Sequence, residues 1–322
     1  MLEVIDPGFM TTVQDLGRWQ ALRFGVPVSG AMDRFAIMAA NHLVGNPWDA
    51  AGLECYAEGA LLTADQDLLV AGSGAGYSLI VGICSYPLWM AVFVPRGEIF
   101  GLRNQNTGRW GYLAISGGVN ITLVMGSRST YLRIGLGGLE GRVLRFGDHL
   151  PAGSVMPNDS LQTLAGRSLP RDLIPQYTDC IQVEIVPASQ FENFTAENRD
   201  QFLENAYTIS NQSDRMGYRL QGKVMSQLST GDILSEGAVP GTVQIPADGQ
   251  PVVLLSDAQT TGGYAKIGVI ANADLGRFVQ CPIGSGQVCF SVTTVTLAQE
   301  RWKKKLQDLK FCRWDDENQL TV

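Results

Sequence analysis

Apolar positions in this chain fall mostly in short runs cut by glycine, proline, asparagine and aspartate, a punctuation that predicts strands. Leu68–Ala71, Trp89–Val94, Tyr112–Ile115, Ile181–Val186, Val252–Ser256 and Val288–Thr293 are apolar or β-branched stretches of strand length bounded by turn residues. The window from Leu68 to Pro95 holds no charge and is long enough to raise the question of a membrane helix. Gly72, Gly74, Gly76, Ser78, Gly82, Ser85 and Pro87 break it at strand-length intervals, so it reads as three buried strands, Leu68–Ala71, Tyr77–Val81 and Leu88–Val94.

Helical spacing is convincing in three places. Asp33 can cap Arg34–Val44, where Phe35, Met38, Ala39 and Leu43 form a stripe and Gly45 closes the helix. Thr195 can cap Ala196–Ala206, with Phe202, Leu203 and Ala206 on the buried side. Thr296 with Gln299 makes a capping box for a last helix carrying Trp302, Leu306 and Leu309. The alternation of strands and helices needed for a doubly wound parallel sheet is missing, so the expected class is β-dominated α+β. The stretch Pro151–Pro175, rich in Pro, Ser, Asn and Asp, reads as a link between a β-rich N-terminal half (1–165) and a β-rich C-terminal half with a terminal helix (176–322).

Composition narrows the function classes. The 322 residues are 45% hydrophobic and only 17% charged, with 37 glycines, which suits short strands joined by tight turns. A formal net charge of -7 argues against nucleic acid or an anionic membrane surface as partner. Six cysteines (55, 84, 180, 281, 289 and 312) include no C-x-x-C pair, and with only His42 and His149 available a zinc site is not expected. Scattered single cysteines read as buried, reduced thiols of a cytoplasmic protein, and the opening Met1–Asp6 has no secretory pattern. The acidic run Asp315–Asp316–Glu317 is either a solvated tail or part of a pairing surface.

Several sites are absent. No G-x-x-x-x-G-K-[ST] loop and no G-x-S-x-G elbow occurs. Gly72–Gly76 precedes a strand rather than a helix, so it reads as a tight turn rather than a dinucleotide loop. His42 lies within the first predicted helix, His149 in an apparent turn, and no methionine-flanked lysine of the biotin-carrying kind is found.

The densest polar segment runs from Ser256 to Lys266, directly after the apolar strand Pro251–Leu255. It offers Asp257, Gln259, Thr260, Thr261, Tyr264 and Lys266, with Gly262 and Gly263 allowing close backbone approach. Such donors suit an oxyanion growing on an amide-like substrate, with Asp257 as general base. Alternatively, the Asp and Thr side chains merely satisfy their own turn. A second group is Gln14, Asp15 and Arg18, followed by Asp33; Arg18 either pairs with Asp15 or forks onto a substrate carboxylate. A third holds Arg215 and Arg219 around Gly217, for an anion or for a salt bridge across a turn.

The strings TTVQDLGR (Thr11–Arg18), GVPVSGAMD (Gly25–Asp33), NHLVGN (Asn41–Asn46) with Leu53-Glu54, GSRSTYLRIGLGGLEGR (Gly126–Arg142), SDRMGYRLQG (Ser213–Gly222) and PGTVQIPADGQPVVLLSDAQTTGGYAKIG (Pro240–Gly268) together resemble the family of C-type 5-oxoprolinase subunits. That family is also described as biotin-dependent carboxyltransferase or allophanate hydrolase subunit 2. The resemblance runs in order from Met1 to about Arg301. It implies a cyclophilin-like β-barrel architecture with a few peripheral helices. It also implies partner subunits of the B and A types, and ATP-dependent opening of 5-oxoproline to glutamate, with ATP belonging to the complex and not placed on this chain. The related carboxyltransferase part of urea carboxylase implies a second reading, transfer to urea or a similar small amide from biotin carried elsewhere. A third is a regulatory subunit that antagonises a kinase inhibitor. The matched positions include Asp257, Gln259, Thr260, Thr261, Gly262, Gly263 and Tyr264, and also Gln14, Asp15, Arg18, Asp33 and Arg215. Ala265 stands where the family usually has proline, which leaves the loop less rigid.

Overall fold

The computed structural model describes residues 1–105, 109–153, 157–225 and 233–312; the acidic run Asp315–Glu317 lies outside them. The chain forms two compact units. The first is built mainly from Met1–Arg18 and Ser29–Pro175, the second from Trp19–Val28 and Gln176–Lys310.

The first unit contains β1 (Leu2–Asp6), β2 (Met10–Gln14), β3 (Gly52–Tyr56), β4 (Leu61–Ala64), β5 (Leu68–Gly74) and β6 (Tyr77–Val81). It continues with β7 (Cys84–Tyr86), β8 (Ala91–Val94), β9 (Ile99–Asn104), β10 (Trp110–Ile115) and β11 (His149–Leu150). They form a six-stranded sheet in the order β11-β1-β4-β9-β6-β7 and a five-stranded sheet in the order β2-β3-β10-β5-β8. Leu62, Leu79 and Phe100 of the first sheet share one buried cluster with Leu53, Val70 and Leu113 of the second. Alternation along a strand then gives the second sheet another apolar face. On β5, Leu68 and Val70 enter that shared cluster, while Leu69 and Ala71 pack with Ala40 and Leu43 of helix α1 (Arg34–Leu43). Asp33 caps α1 by accepting the Ala36 N–H at 3.1 Å, and Gly45 follows with φ +76°. The uncharged window is thus strands β5, β6 and β8 with the short β7 between, and no helix among the described residues is long and apolar enough to cross a membrane.

A helix, α2 (Asn158–Leu164), forms inside the stretch read as a link and packs through Leu161 and Leu164. Two local expectations are corrected here. His149, read as part of a turn, pairs with Glu3 in β11. Of the six cysteines, all free, only Cys55 and Cys281 are buried; Cys84 and Cys180 are exposed at an edge strand and a strand start. Burial pushes the Cys55 thiol up to about 11. Iodoacetamide at pH 8 is therefore expected to modify Cys84 and Cys180 in the native protein and to spare Cys55, as read by peptide mass spectrometry.

The second unit is a closed barrel. Its strands are β12 (Cys180–Pro187), β13 (Tyr207–Ile209), β14 (Gly217–Gln221), β16 (Thr242–Ile245), β17 (Val252–Leu254), β19 (Ala265–Ile270) and β20 (Gln287–Val292). They run in the order β12-β19-β16-β17-β14-β13-β20, and parallel pairing of β12 with β20 closes the ring. Two further strands, β15 (Glu236–Gly237) and β18 (Thr261–Gly262), make a separate ribbon. Helices α3 (Ala196–Glu204), α4 (Asn272–Gln280) and α5 (Val295–Phe311) complete this unit. Thr195 caps α3 as expected, and Phe202 of α3 stacks on Phe290 of β20 with ring centroids 4.5 Å apart. The last helix starts earlier than its predicted capping box. β20 ends at Val292, and the Thr294 hydroxyl already accepts the Leu297 N–H at 3.3 Å, ahead of Thr296. The β-dominated α+β class with few helices is what the structure shows.

Candidate functional site

In the second unit, β17 delivers the chain into the segment Leu255–Tyr264, which returns through β18 to β19. Its root is a buried ion pair. Arg215 donates from Nε and Nη2 to the two oxygens of Asp257 at 2.8 and 3.1 Å, and the Asp257 N–H donates to the Arg215 carbonyl at 3.0 Å. Both side chains are under 10% exposed. Among the described residues, Arg215 forms neither an anion site nor a salt bridge across its own turn, but a long-range pair with Asp257. The same contacts engage both oxygens of Asp257 and anchor the root of the loop.

Beyond the anchor the loop turns outward. Gln259, Thr261 and Tyr264 are exposed, and among the described residues their side chains have no hydrogen-bond partner. Thr260 is half-buried, and its carbonyl accepts the Ala238 N–H at 2.9 Å. Gly262 presses on the barrel: a Cβ there would sit 2.4 Å from Gln244 Nε2. Only glycine lets the ribbon lie this close without displacing that amide.

Under the ribbon lies a buried polar floor. Lys266 on β19 stands opposite Gln244 on β16. The Lys266 ammonium donates to Glu236 Oε2 at 2.7 Å and to the Gly237 carbonyl at 3.2 Å, and Gln190 Nε2 donates to the same carboxylate oxygen at 3.0 Å. Lys266 and then Gln190 hold the exposed Glu236 carboxyl below its usual range. Gln190, Glu236 and Gln244 were not among the residues singled out from sequence. Gln244 lies inside the string Pro240–Gly268, but an isolated glutamine in a strand gives no local signal, and Gln190 and Glu236 join the group only through the fold.

In the first unit Asp15 is a hub. Its Oδ1 accepts from the Gly17 N–H (2.8 Å) and from the hydroxyls of Ser127 (2.6 Å) and Ser129, while Oδ2 accepts from the Arg128 N–H at 2.6 Å. Its own carbonyl accepts from Ala31 at 2.9 Å, so one carboxylate holds the end of β2, the 127–129 turn and the approach to α1 together. Arg18 is buried and donates from Nη2 to the Ser129 carbonyl. Gln14 donates to Thr12 Oγ1 and to the Thr130 carbonyl at 3.0 and 3.1 Å. Asp33 donates its N–H to Tyr112 Oη at 2.7 Å while its carboxylate caps α1. Here the residues missed from sequence are Ser127, Ser129 and Tyr112. Asp15→Asn would turn an N–H donor toward the Arg128 N–H, and is expected to cost about 2 kcal/mol in urea unfolding.

The family described as carboxyltransferase domain, subdomain A and B, matches residues 24–291, which include the whole 255–266 loop and its ion pair. The chain belongs to this family. Its curated relatives include the C-type 5-oxoprolinase subunit of Escherichia coli, 37% identical over 88% of this chain and 89% of the relative. The C-type 5-oxoprolinase subunit of Haemophilus influenzae is 34% identical over 95% and 96%. Among solved structures, the urea amidolyase of K. lactis superposes with a TM-score of 0.87 at 26% identity, covering 96% of this chain. The chain spans only 20% of that much longer protein.

Proposed function

We propose that this chain is the C-type member of an ATP-dependent 5-oxoprolinase, working with A- and B-type subunits to open 5-oxo-L-proline to L-glutamate. The observation that carries this reading is the near full-length match, in both directions, to two relatives named as C-type 5-oxoprolinase subunits. Lactam opening has a defined physical demand. The ring nitrogen's lone pair must leave resonance with the carbonyl while negative charge grows on oxygen, so fixed donors at that oxygen lower the barrier. Donors of this kind are available on the 255–266 loop. Gln259, Thr261 and Tyr264 offer donors on the exposed side, Thr260 lines its inner side, and Gly262 and Gly263 allow close approach. Lys266 supplies a fixed positive charge beneath, and the Asp257–Arg215 pair holds the loop's root. Within the first unit, Gln14, Asp15, Arg18 and Asp33 order the segment from the end of β2 to the start of α1. ATP, bound by the assembled complex and not placed on this chain, supplies the free energy for opening the ring.

A second reading has its own support: the family is described as a carboxyltransferase domain, and the fold matches urea amidolyase across 96% of the chain. In it the chain moves carboxylate to urea or another small amide from biotin on a separate carrier. Purifying this chain with A- and B-type subunits and following glutamate from 5-oxoproline separates the two. Glutamate formed only with ATP and all three chains supports the first. No glutamate, together with carboxyl transfer from carboxybiotin to urea, replaces it with the second.

A further inference from the structure

We infer that the barrel face beneath the β15–β18 ribbon binds the amide edge of a small lactam or acyclic amide, with Gln244 donating to its carbonyl oxygen and Gln190 accepting from its N–H. This deepens the proposed function and rests on it for the identity of the natural ligand, though not for the chemistry of the face.

Two buried atoms carry the inference. Among the described residues, Gln190 Oε1 and Gln244 Nε2 have no hydrogen-bond partner, although Gln190 is 7% and Gln244 2% exposed. Buried polar groups in folded proteins are almost always paired, and an unpaired one costs stability unless a ligand pairs it. The Gln190 orientation is set chemically. Its other end donates to the Glu236 carboxylate, which only accepts, so the open end is the carbonyl oxygen. One open acceptor and one open donor are the complement of an amide, which offers C=O and N–H along one edge. Gln190, Glu236 and Lys266 are joined by hydrogen bonds, and Gln244 adjoins them by strand register. Glu236 Oε2 receives Gln190 and Lys266 together, Lys266 stands opposite Gln244 across β16–β19, and Gly262 packs on the Gln244 amide. The cover over this face is slight. The ribbon consists of the pairs Glu236–Gly262 and Gly237–Thr261, and isolated two-stranded pairings are marginally stable. Glu236 ties it to the barrel as a latch.

The test is a ligand-detected NMR titration of the full chain with 2-pyrrolidone and with γ-butyrolactone, rings that differ in carrying N–H or O beside the carbonyl. The lactam is expected to bind on the order of tenfold more tightly, because the lactone leaves Gln190 Oε1 facing a lone pair. Gln190→Leu should erase that preference by weakening the lactam alone, and Gln244→Leu should weaken both rings. Equal binding of the two rings by the wild-type chain overturns the inference without recourse to any variant, as does a preference that survives in a folded Gln190→Leu protein. The outcome is separable from the proposed reaction. A ring preference without glutamate release by the complex keeps the subsite and removes the 5-oxoprolinase reading. Glutamate release without a ring preference does the reverse.

Discussion

Arg215→Met is expected to destabilise the second unit by about 3–5 kcal/mol, the usual cost of breaking a buried ion pair by removing one partner. The substitution leaves the Asp257 carboxylate, 4% exposed, without the two N–H groups that now meet its oxygens. It also loosens the junction at which the Asp257 N–H donates to the Arg215 carbonyl, and with it the start of the 255–266 loop. Replacing both partners, Arg215→Met with Asp257→Leu, removes the charges together and is expected to recover most of the lost stability. Activity should not recover, because the loop then lacks its polar root. Urea unfolding of the single and double variants reads the stability. A loss below about 1 kcal/mol for the single variant would mean that the pair is solvated and that Asp257 is available for other work.

Lys266→Met is expected to separate activity from stability. The Lys266 side chain is 9% exposed but its partner Glu236 is 45% exposed, so solvent screens the pair and the fold should lose little. A fixed charge beneath a developing oxyanion is worth more, and its removal should lower kcat by about 10²–10³-fold. The pH dependence of the latch follows from Glu236, whose carboxyl is held below its usual range by Lys266 and Gln190. A depressed carboxyl contributes stability above its unfolded value, about 4.3, and loses it as pH falls through the folded value. The Lys266–Glu236 ion pair is therefore kept at neutral pH and weakens only in acid. A neutral-range pH profile of kcat that followed Glu236 would contradict this placement.

Much of the fold was legible because the punctuation of the chain matches its physics. The glycines and Pro87 within Leu68–Pro95 cut a membrane-length apolar window into β5 to β8, and a strand with both faces covered needs no polar alternation. Asp33 and Thr195 were readable as caps because a short acceptor before an apolar stripe has one obvious use. Other elements were hidden. In α4 a glycine interrupts the apolar positions Ala273, Leu275, Phe278 and Val279, and α2 packs through only Leu161 and the half-buried Leu164 among its described side chains. The start of α5 was misplaced because Thr294 and Thr296 both carry a hydroxyl suited to capping, and the end of β20 selects the first.

The candidate site divides in the same way. The loop from Asp257 to Lys266 stood out because its polar groups are contiguous. Its partners did not. Whether Gln244 faces Lys266 depends on β16–β19 register and on an irregularity between Val243 and Gln244. The bond from Asp15 to Ser129 spans 114 residues, so Gly126–Thr130 was recognisable as part of a family string while its contact with Asp15 was not.

The most direct test of the account uses the side chains that the fold does not need. Gln259, Thr261 and Tyr264 are exposed and have no described hydrogen-bond partners. A Gln259→Ala, Thr261→Ala, Tyr264→Phe triple variant should therefore assemble with its A- and B-type partners and unfold like the wild type. Glutamate release from 5-oxoproline by that complex, with ATP, is the measurement. The expected result is a loss of roughly 10³-fold, as for removal of oxyanion donors. Wild-type turnover by the triple variant would contradict the account, placing the substrate away from this loop.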